Sequence, residues 1–254
     1  MGHSIGLIHL VRACNGLDPL RRFVAAYRTT TGRTPYELVF LCKGNGAVEQ
    51  VREVAADLTP TIKTVPDRGF DIGSYVRVAR VLDHQILCFT NSWARPRVPR
   101  WLDFLVAAVR DRTIGIAGAT GSLEAVPPHT RFPNPHLRSN AFAIRRDLFL
   151  QLHLPEPQDK LNAILLEAGP RGITKQVVDR GLRAVVVSAG GSCHEIAQSR
   201  RAGVYRSHNQ CNLIVADNIT DLYDRSPPAY RADLEQWAWG SAGASYERKD
   251  IRPL

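Results

Sequence analysis

The sequence predicts an α/β fold, a single domain with a mostly parallel central sheet flanked by helices. The main observation is that short apolar runs of strand length alternate with helical stretches, with short connections between them. The chain is also long enough for one large core, because it has 254 residues of which 44% are hydrophobic.

The first half of the chain carries the clearest alternation. The predicted strands are 4–11, 37–42, 61–65, 86–89 and 113–117. The predicted helices are 19–28, 48–58, 71–82 and 101–109. Asp18 is expected to cap the first helix because Pro19 follows it.

The second half is less regular. Four prolines interrupt the segment 123–136, which predicts a loop. A strand at 141–144, helices at 161–166 and 174–180, and a strand at 183–187 follow. We expect the domain to span 1–225. The polar extension 226–254 is expected either to pack through Trp237 and Trp239 or to be partly disordered.

The net charge of +9 favours an anionic partner: nucleic acid, anionic lipid or a phosphorylated small molecule. No recognition helix, zinc finger or ribonucleoprotein motif accompanies it, so we expect no nucleic acid partner. Five cysteines without a CxxC pair predict neither a disulfide framework nor a zinc site. No signal peptide or membrane span is visible, so a cytoplasmic protein is expected, with peripheral association at the inner face of the membrane left open.

Three glycines, Gly115, Gly118 and Gly121, imitate a dinucleotide-binding fingerprint. That fingerprint requires a helix whose N-terminus lies under the pyrophosphate. Here the glycines lead into Glu124 and the proline-rich loop, so a tight turn that lines a substrate is favoured over a Rossmann oxidoreductase.

Polar residues also follow the ends of predicted strands, where open α/β sheets bind ligands. Asp71, between Gly69 and Gly73, is either a helix N-cap or a carboxylate that contacts a nucleotide. The segment 90–95 is either an ordinary polar turn or part of a binding site. His136, Arg138 and Asn140 alternate before a strand and so share a face, either of a pocket or of a solvated edge.

The order of five stretches resembles the inverting glycosyltransferases of the GT-A fold, especially family 2 and the enzymes related to rhamnan synthesis protein F. These stretches are GFDIGSY, FTNSWARP, GATGS, FPNPHLRSNAF and NLIVADNIT. The resemblance implies a GT-A-like, Rossmann-like sheet, a nucleotide-diphosphate sugar as donor, and a carbohydrate or glycolipid acceptor in polysaccharide or glycoconjugate biosynthesis.

The resemblance also implies roles for individual residues. Glu167 would be the base that deprotonates the acceptor hydroxyl. The residues expected to bind the donor are Gly69, Asp71, Gly73, Asn91, Ser92, Arg95, Arg138 and Asn140. The residues expected to line the pocket or contact the acceptor are His136, Gly118 and Thr120.

Two carboxylate positions of that family are occupied differently here. Its DxD motif, which holds a divalent metal, is replaced by Thr90-Asn91-Ser92, and Lys43 stands where a carboxylate ends the second strand. A divalent metal, Mg²⁺ or Mn²⁺, is therefore expected only from the resemblance, and His194 is the one candidate ligand. We infer that Arg95, Arg97 and Arg138 neutralise the diphosphate instead.

Two other interpretations remain open at this point. A non-catalytic protein of the same fold could bind the donor as a scaffold, which the missing carboxylates favour. A basic nucleic-acid-binding protein would show steep salt dependence of duplex binding.

Overall fold

Apolar runs form the strands, whereas mixed apolar and polar stretches between them form the helices and turns. The computed structural model describes residues 4–30 and 32–240. The strands are β1 (Ile5–Arg12), β2 (Glu37–Lys43), β3 (Thr61–Val65), β4 (Ile86–Thr90), β5 (Arg95–Pro96), β6 (Ile114–Gly118), β7 (Gly121–Ser122), β8 (His136–Leu137), β9 (Ala141–Arg145), β10 (Arg183–Val187), β11 (Cys193–Glu195) and β12 (Val215–Ala216). The helices are α1 (Asp18–Thr29), α2 (Ala47–Ala55), α3 (Phe70–Ala79), α4 (Trp101–Arg110), α5 (Arg146–Gln151), α6 (Lys160–Ala168), α7 (Ile173–Val178), α8 (Asn218–Arg225) and α9 (Pro228–Trp239).

The central sheet has eight strands in the order β11-β10-β6-β9-β4-β1-β2-β3. The pairs β3–β2, β2–β1, β1–β4 and β6–β10 are parallel, whereas β9 is antiparallel to both β4 and β6. The carboxyl ends of the parallel strands therefore meet at one edge of the sheet, together with the start of β9. The predicted fold class is confirmed.

Helices cover both faces of this sheet, because its strands alternate between two buried sides. Along β1, Leu7 and Val11 pack in the cluster that contains α1, α2 and α4, whereas Ile8 and Leu10 pack in the cluster that contains α3 and α7. Arg12, two residues beyond Leu10, lies on the α3 side of the sheet by the same alternation.

The structure corrects two predictions about helix starts. Helix α1 has Leu17 at its N-cap, and Asp18 lies inside the first turn without a side-chain capping bond. Helix α3 has Gly69 at its N-cap. The backbone there is left-handed, with a φ of 76°, and glycine adopts this conformation more readily than other residues. Asp71 is therefore a first-turn residue and not the N-cap.

The segment after residue 226 contains a helix that the sequence pattern did not predict, α9. Trp239 is buried, and its indole N–H donates to the carbonyl of Tyr205 at 2.8 Å. Trp237 is partly exposed. The remainder of the predicted extension, 241–254, lies outside the described residues.

Several short elements were also absent from the sequence prediction, among them α5, β11 and the two-residue strands β5, β7, β8 and β12. Such elements are too short to show a hydrophobic period. Within residues 4–30 and 32–240, no helix combines the length and the apolar character needed to cross a bilayer.

Candidate functional site

Polar side chains from both halves of the chain meet at the carboxyl edge of the sheet. We call them the strand-end cluster: Arg12, Lys43, Asp71, Asn91, Thr120, Arg138, Asn140 and Glu167. The backbone amide of Asn91 donates to the backbone carbonyl of Asn140 at 2.9 Å. The hydroxyl of Thr120 donates to Oδ1 of Asn140 at 2.6 Å, and the carbonyl of Thr120 accepts from the amide of Arg138 at 3.1 Å.

The pKa of Asp71 is affected both by the cations at the ends of β1 and β2 and by Glu167 of α6. Burial raises the pKa of its carboxyl, the cations Arg12, Lys43 and Lys160 lower it, and the Glu167 carboxylate raises it again. Asp71 and Glu167, predicted as nucleoside contact and base, therefore lie within electrostatic reach of each other.

Glu167 lies in the last turn of α6, and two hydrogen bonds fix its Oε2. The amide of Ser139 donates at 2.7 Å and the hydroxyl of Ser139 donates to the same oxygen. Burial by itself raises the pKa of this carboxyl, but Arg138, His136 and the two bonds from Ser139 outweigh it and leave the pKa below its ordinary value. Glu167 is therefore ionised at neutral pH.

Gly69 and Gly73 have a packing role that the sequence did not indicate. A Cβ on Gly69 would lie 3.1 Å from the Glu156 side chain, and one on Gly73 would lie 3.3 Å from Pro157. The Glu156 carboxylate also pairs with Arg68 and Arg77 of the α3 region. The glycines thus let the loop that leads into α6, and so to Glu167, pack against α3.

Arg138 belongs to a buried ion-pair network. Its guanidinium lies 3.1 Å from Oε2 of Glu124, and the guanidinium of Arg206 lies 3.1 Å from Oε1 of the same carboxylate. Both guanidinium carbons lie over the Tyr205 ring, 5.2 and 5.1 Å from its centroid. The position of Arg138 is therefore fixed from two sides.

Arg95 and Arg97 pair with acidic groups of α8 instead of lying unpaired in the strand-end cluster. Arg95 lies 2.7 Å from Asp221, and Arg97 lies 3.0 Å from Asp224. These pairs hold the small β5–β12 sheet against α8. The predicted role of Arg95 in donor binding has no support from this geometry and stays a prediction.

The segment that replaces a DxD motif already uses its side-chain oxygens. The Thr90 hydroxyl donates to the carbonyl of Ile8 at 3.2 Å, the Asn91 Oδ1 accepts from the amide of Trp93 at 3.0 Å, and the Ser92 hydroxyl accepts from Asn15 at 2.8 Å. Because divalent metals on phosphates prefer carboxylate oxygens, these neutral, occupied groups do not fit such an ion. The described part of the chain contains no group of three or more potential metal ligands.

The pocket-lining candidates and His194 have different surroundings. His136 is buried, and its Nδ1 donates to the backbone carbonyl of Asn134 at 2.8 Å. A Cβ on Gly118 would lie 3.0 Å from the Leu137 side chain, so the glycine allows Leu137 to pack closely. His194 lies on β11 with its Nε2 3.0 Å from the Ser188 hydroxyl. Ser188 directly follows β10, and the role of His194 as a metal ligand stays a prediction.

The three glycines that resemble a dinucleotide-binding fingerprint also have a packing role. A Cβ on Gly115 would lie 2.4 Å from Val177 of α7, and the chain passes from Gly118 into β7, not into a helix. The segment therefore packs α7 closely against β6, and no helix N-terminus follows it for a pyrophosphate.

No protein-family model matches the chain, and no curated protein matches it. Among solved structures, it is similar to the mannosyltransferase PcManGT from Pyrobaculum calidifontis, solved in complex with GDP-Man and Mn²⁺. The TM-score is 0.54 at 14% identity, over 93% of this chain and 70% of that chain. The chain has a GT-A-like fold. At this identity the likeness shows the fold alone.

Two further solved structures have lower scores. A CMP:2-keto-3-deoxy-manno-octonic acid synthetase complexed with CTP has a TM-score of 0.46 at 12% identity, over 78% of this chain and 95% of that chain. The glucosyl-3-phosphoglycerate synthase from Mycobacterium tuberculosis, in complex with Mn²⁺, UDP and glucosyl-3-phosphoglycerate, has a TM-score of 0.41 at 15% identity, over 57% of this chain and 58% of that chain.

Within this GT-A-like fold, sequence reasoning missed Arg12, Glu124 and Arg206. Arg12 follows the apolar run of β1 directly, so the strand-end criterion that selected Asn91 would have selected it too. Glu124 and Arg206 are 82 positions apart, and no local pattern marks them as partners.

Proposed function

We propose that the chain is a glycosyltransferase that moves a sugar from a nucleotide-diphosphate sugar to an acceptor hydroxyl. The observation that carries the proposal is the convergence of Asp71, Arg138 and Glu167 at the carboxyl edge of a GT-A-like sheet. That edge is where open α/β sheets bind nucleotides. The GDP-Man in the complex of the similar mannosyltransferase gives the same kind of donor.

The proposed reaction is an inverting displacement. Glu167 accepts the proton of the acceptor hydroxyl while that oxygen forms the new bond to the anomeric carbon of the sugar. The bond from the anomeric carbon to the β-phosphate oxygen breaks, and its electron pair leaves with the nucleoside diphosphate. Cationic side chains stabilise the developing phosphate charge. The rhamnan synthesis protein F-type relation, the acceptor and a polysaccharide pathway remain predictions, as does a location at the inner face of the membrane.

The lowered pKa of Glu167 keeps the carboxylate ionised and so able to accept a proton, although it also makes Glu167 a weaker base than an ordinary carboxylate. Ser139 occupies Oε2, and the hydrogen bonds to the carboxylate in the described structure fall on that atom. We assign Oε1 as the atom that receives the proton. His136, whose charge acts on Glu167, is proposed to support the acceptor side, together with Gly118 and Thr120.

The proposal is tested by melting temperature and by release of nucleoside diphosphate, with GDP-mannose and UDP-glucose as donors and with EDTA present. We expect one donor to raise the melting temperature and Asp71→Ala to remove that shift. Glu167→Gln should keep the shift and lower turnover about 10²- to 10⁴-fold, the range for loss of a general base. Glu53→Gln, which neutralises an exposed carboxylate paired with Arg21, is the matched control.

A non-catalytic donor-binding scaffold is the second candidate. It is favoured by Thr90, Asn91 and Ser92, which include no acidic residue and whose side-chain oxygens already form internal hydrogen bonds. It predicts that a donor raises the melting temperature without any release of nucleoside diphosphate. A donor-dependent melting shift with turnover that Glu167→Gln removes would exclude it, and no shift with any donor would contradict both candidates.

A further inference from the structure

Two cations at the carboxyl edge of the sheet are adjacent, and neither forms an ion pair with a described carboxylate. Arg12 and Lys43 are register partners at the ends of the parallel strands β1 and β2, so their side chains lie side by side on the face of the sheet that α3 covers. Lys43 is only 2% exposed. Between residues 4–30 and 32–240, no carboxylate oxygen lies within 4.0 Å of either cation.

The hydrogen bonds of these two groups are also incomplete. The Lys43 ammonium donates to the carbonyl of Phe70 at 2.9 Å, which uses one of its three protons. The Arg12 Nε is buried and has no acceptor in the described structure. A buried cation without an ionic partner is costly, and such groups are normally paired. Burial, followed by the charge of Arg12, lowers the pKa of Lys43, and the smaller opposing effects of the Asp71 and Asp67 carboxylates do not outweigh them.

The surroundings add further positive potential. Helix α3 begins beside Lys43, and its N-terminus has no side-chain cap, so its amide groups present the positive end of the helix dipole. Lys160 acts on Asp71 from the first turn of α6. Asp71 is the acidic group at the centre of this arrangement, and burial raises its pKa.

A small pocket adjoins Arg12 and has a second unpaired group in its wall. Arg12, Asn15, Ser92 and the fully buried His9 line it. The Thr90 hydroxyl donates to a backbone carbonyl, so it accepts from Nδ1 of His9, which leaves Nε2 of His9 as a buried acceptor without a partner. The His9 ring stacks on Phe23 of α1, so by the alternation along β1 it lies on the face of the sheet opposite the one that Arg12 and Lys43 share.

We propose that Arg12 and Lys43 bind the diphosphate group of a nucleotide and supply the charge that a carboxylate-held metal would supply elsewhere. Guanidinium matches two phosphate oxygens at once, and ammonium acts as a compact charge beside it. The assignment to a sugar donor rests on the proposed function, whereas diphosphate binding does not. We therefore assign the diphosphate contact to Arg12 and Lys43 and not to Arg95 and Arg97, which already form ion pairs with carboxylates.

Titration calorimetry on the full chain, with inorganic pyrophosphate and GDP in the presence of EDTA, tests the site. We expect Arg12→Gln and Lys43→Met each to weaken binding of both probes about 10- to 100-fold, the loss of one charge-assisted contact. Arg21→Gln is the matched control, since it removes an equal charge from an exposed surface pair with Glu53 and should leave both affinities unchanged.

The melting temperature without ligand separates binding from a structural role. Lys43→Met should leave it unchanged or raise it, because a buried charge is replaced by an apolar group of similar length. If Lys43 only secures the carbonyl of Phe70, the melting temperature falls and the affinities stay the same, which would overturn the site.

Other outcomes are equally decisive. The site is overturned if the unaltered chain binds neither pyrophosphate nor GDP, or if both substitutions leave the affinities unchanged. This holds even if sugar transfer is observed. Binding that depends on Arg12 and Lys43 with no transfer from any nucleotide sugar supports the site and counts against the glycosyltransferase.

Discussion

The two sides of the strand-end cluster differ in whether their buried charges are paired. One side lies at β6 and β9, and the other lies at β1 and β2. On the β6–β9 side, Glu124 compensates both Arg138 and Arg206, and Ser139 and Arg138 compensate Glu167. On the β1–β2 side, Arg12 and Lys43 are adjacent, and no carboxylate of the described chain lies within ion-pair distance of them.

This difference indicates what each half does. Charges that are paired inside the protein fix the shape of a site, because removing one partner leaves the other buried and unsatisfied. Charges without internal partners are available to an external anion. The β6–β9 side therefore positions Arg138 and Glu167, and the β1–β2 side is the half expected to bind phosphate.

The largest expected effect is on the paired side. Glu124→Ala leaves the buried guanidiniums of Arg138 and Arg206 without their shared carboxylate, so we expect the free energy of unfolding to fall by about 3 kcal/mol or more. Urea denaturation measures it. Glu53→Ala, at an exposed pair with Arg21, is the control and should cost less than about 1 kcal/mol. Equal losses in the two variants would mean that the network contributes no more than a surface pair.

A smaller effect is expected for Glu167→Gln, about 2 kcal/mol at neutral pH, because the amide keeps an acceptor for Ser139 but loses the charge opposite Arg138. The folded pKa of Glu167 lies below the ordinary 4.5, so its contribution is complete above pH 4.5 and is lost as the pH falls through the folded pKa. Unfolding measured from pH 7 to pH 3 should show the two proteins converging in acid. A constant difference over that range would contradict the pairing.

Asp217 is a buried acidic group of the paired side whose effect can be separated into charge and cap. Its carboxylate accepts from the amides of Ile219 and Thr220 and completes a capping box at the start of α8. Asp217→Ala should cost about 1 kcal/mol in urea denaturation, while Asp217→Asn, which keeps the cap, should cost a fraction of that. If the asparagine variant is as unstable as the alanine variant, the charge and not the cap is what matters.

The smallest effect, and one of opposite sign, is expected on the unpaired side. The pKa of Lys43 is lowered from 10.5, so its charged form costs stability below the folded pKa, and that cost disappears as the pH rises through it. Lys43→Met should therefore gain up to about 1 kcal/mol at pH 7, and the gain should shrink as the pH approaches 10.5. A loss of stability at pH 7 would remove the contrast between the two halves.

The sequence by itself determined seven of the eight strands of the central sheet and most of the helices, since the alternation of apolar residues encodes which segments are buried and on which face. It also determined that Asp71 and Asn91 come after strands and that Asn140 comes directly before one, and the sheet brings these ends to one edge. It could not predict α9, because the apolar residues of this helix do not gather on one face and its buried Trp239 depends on Tyr205.

Only the tertiary structure decided which charges are compensated. Arg95 and Arg97 looked as available as Arg12 in the sequence, yet α8 supplies a carboxylate to each of them and none to Arg12. The physical reason is that pairing depends on distances between side chains far apart in the chain, 126 positions for Arg95 and Asp221. A local pattern of residue types carries no information about such distances, whereas the packing of α8 against β5 and β12 fixes them.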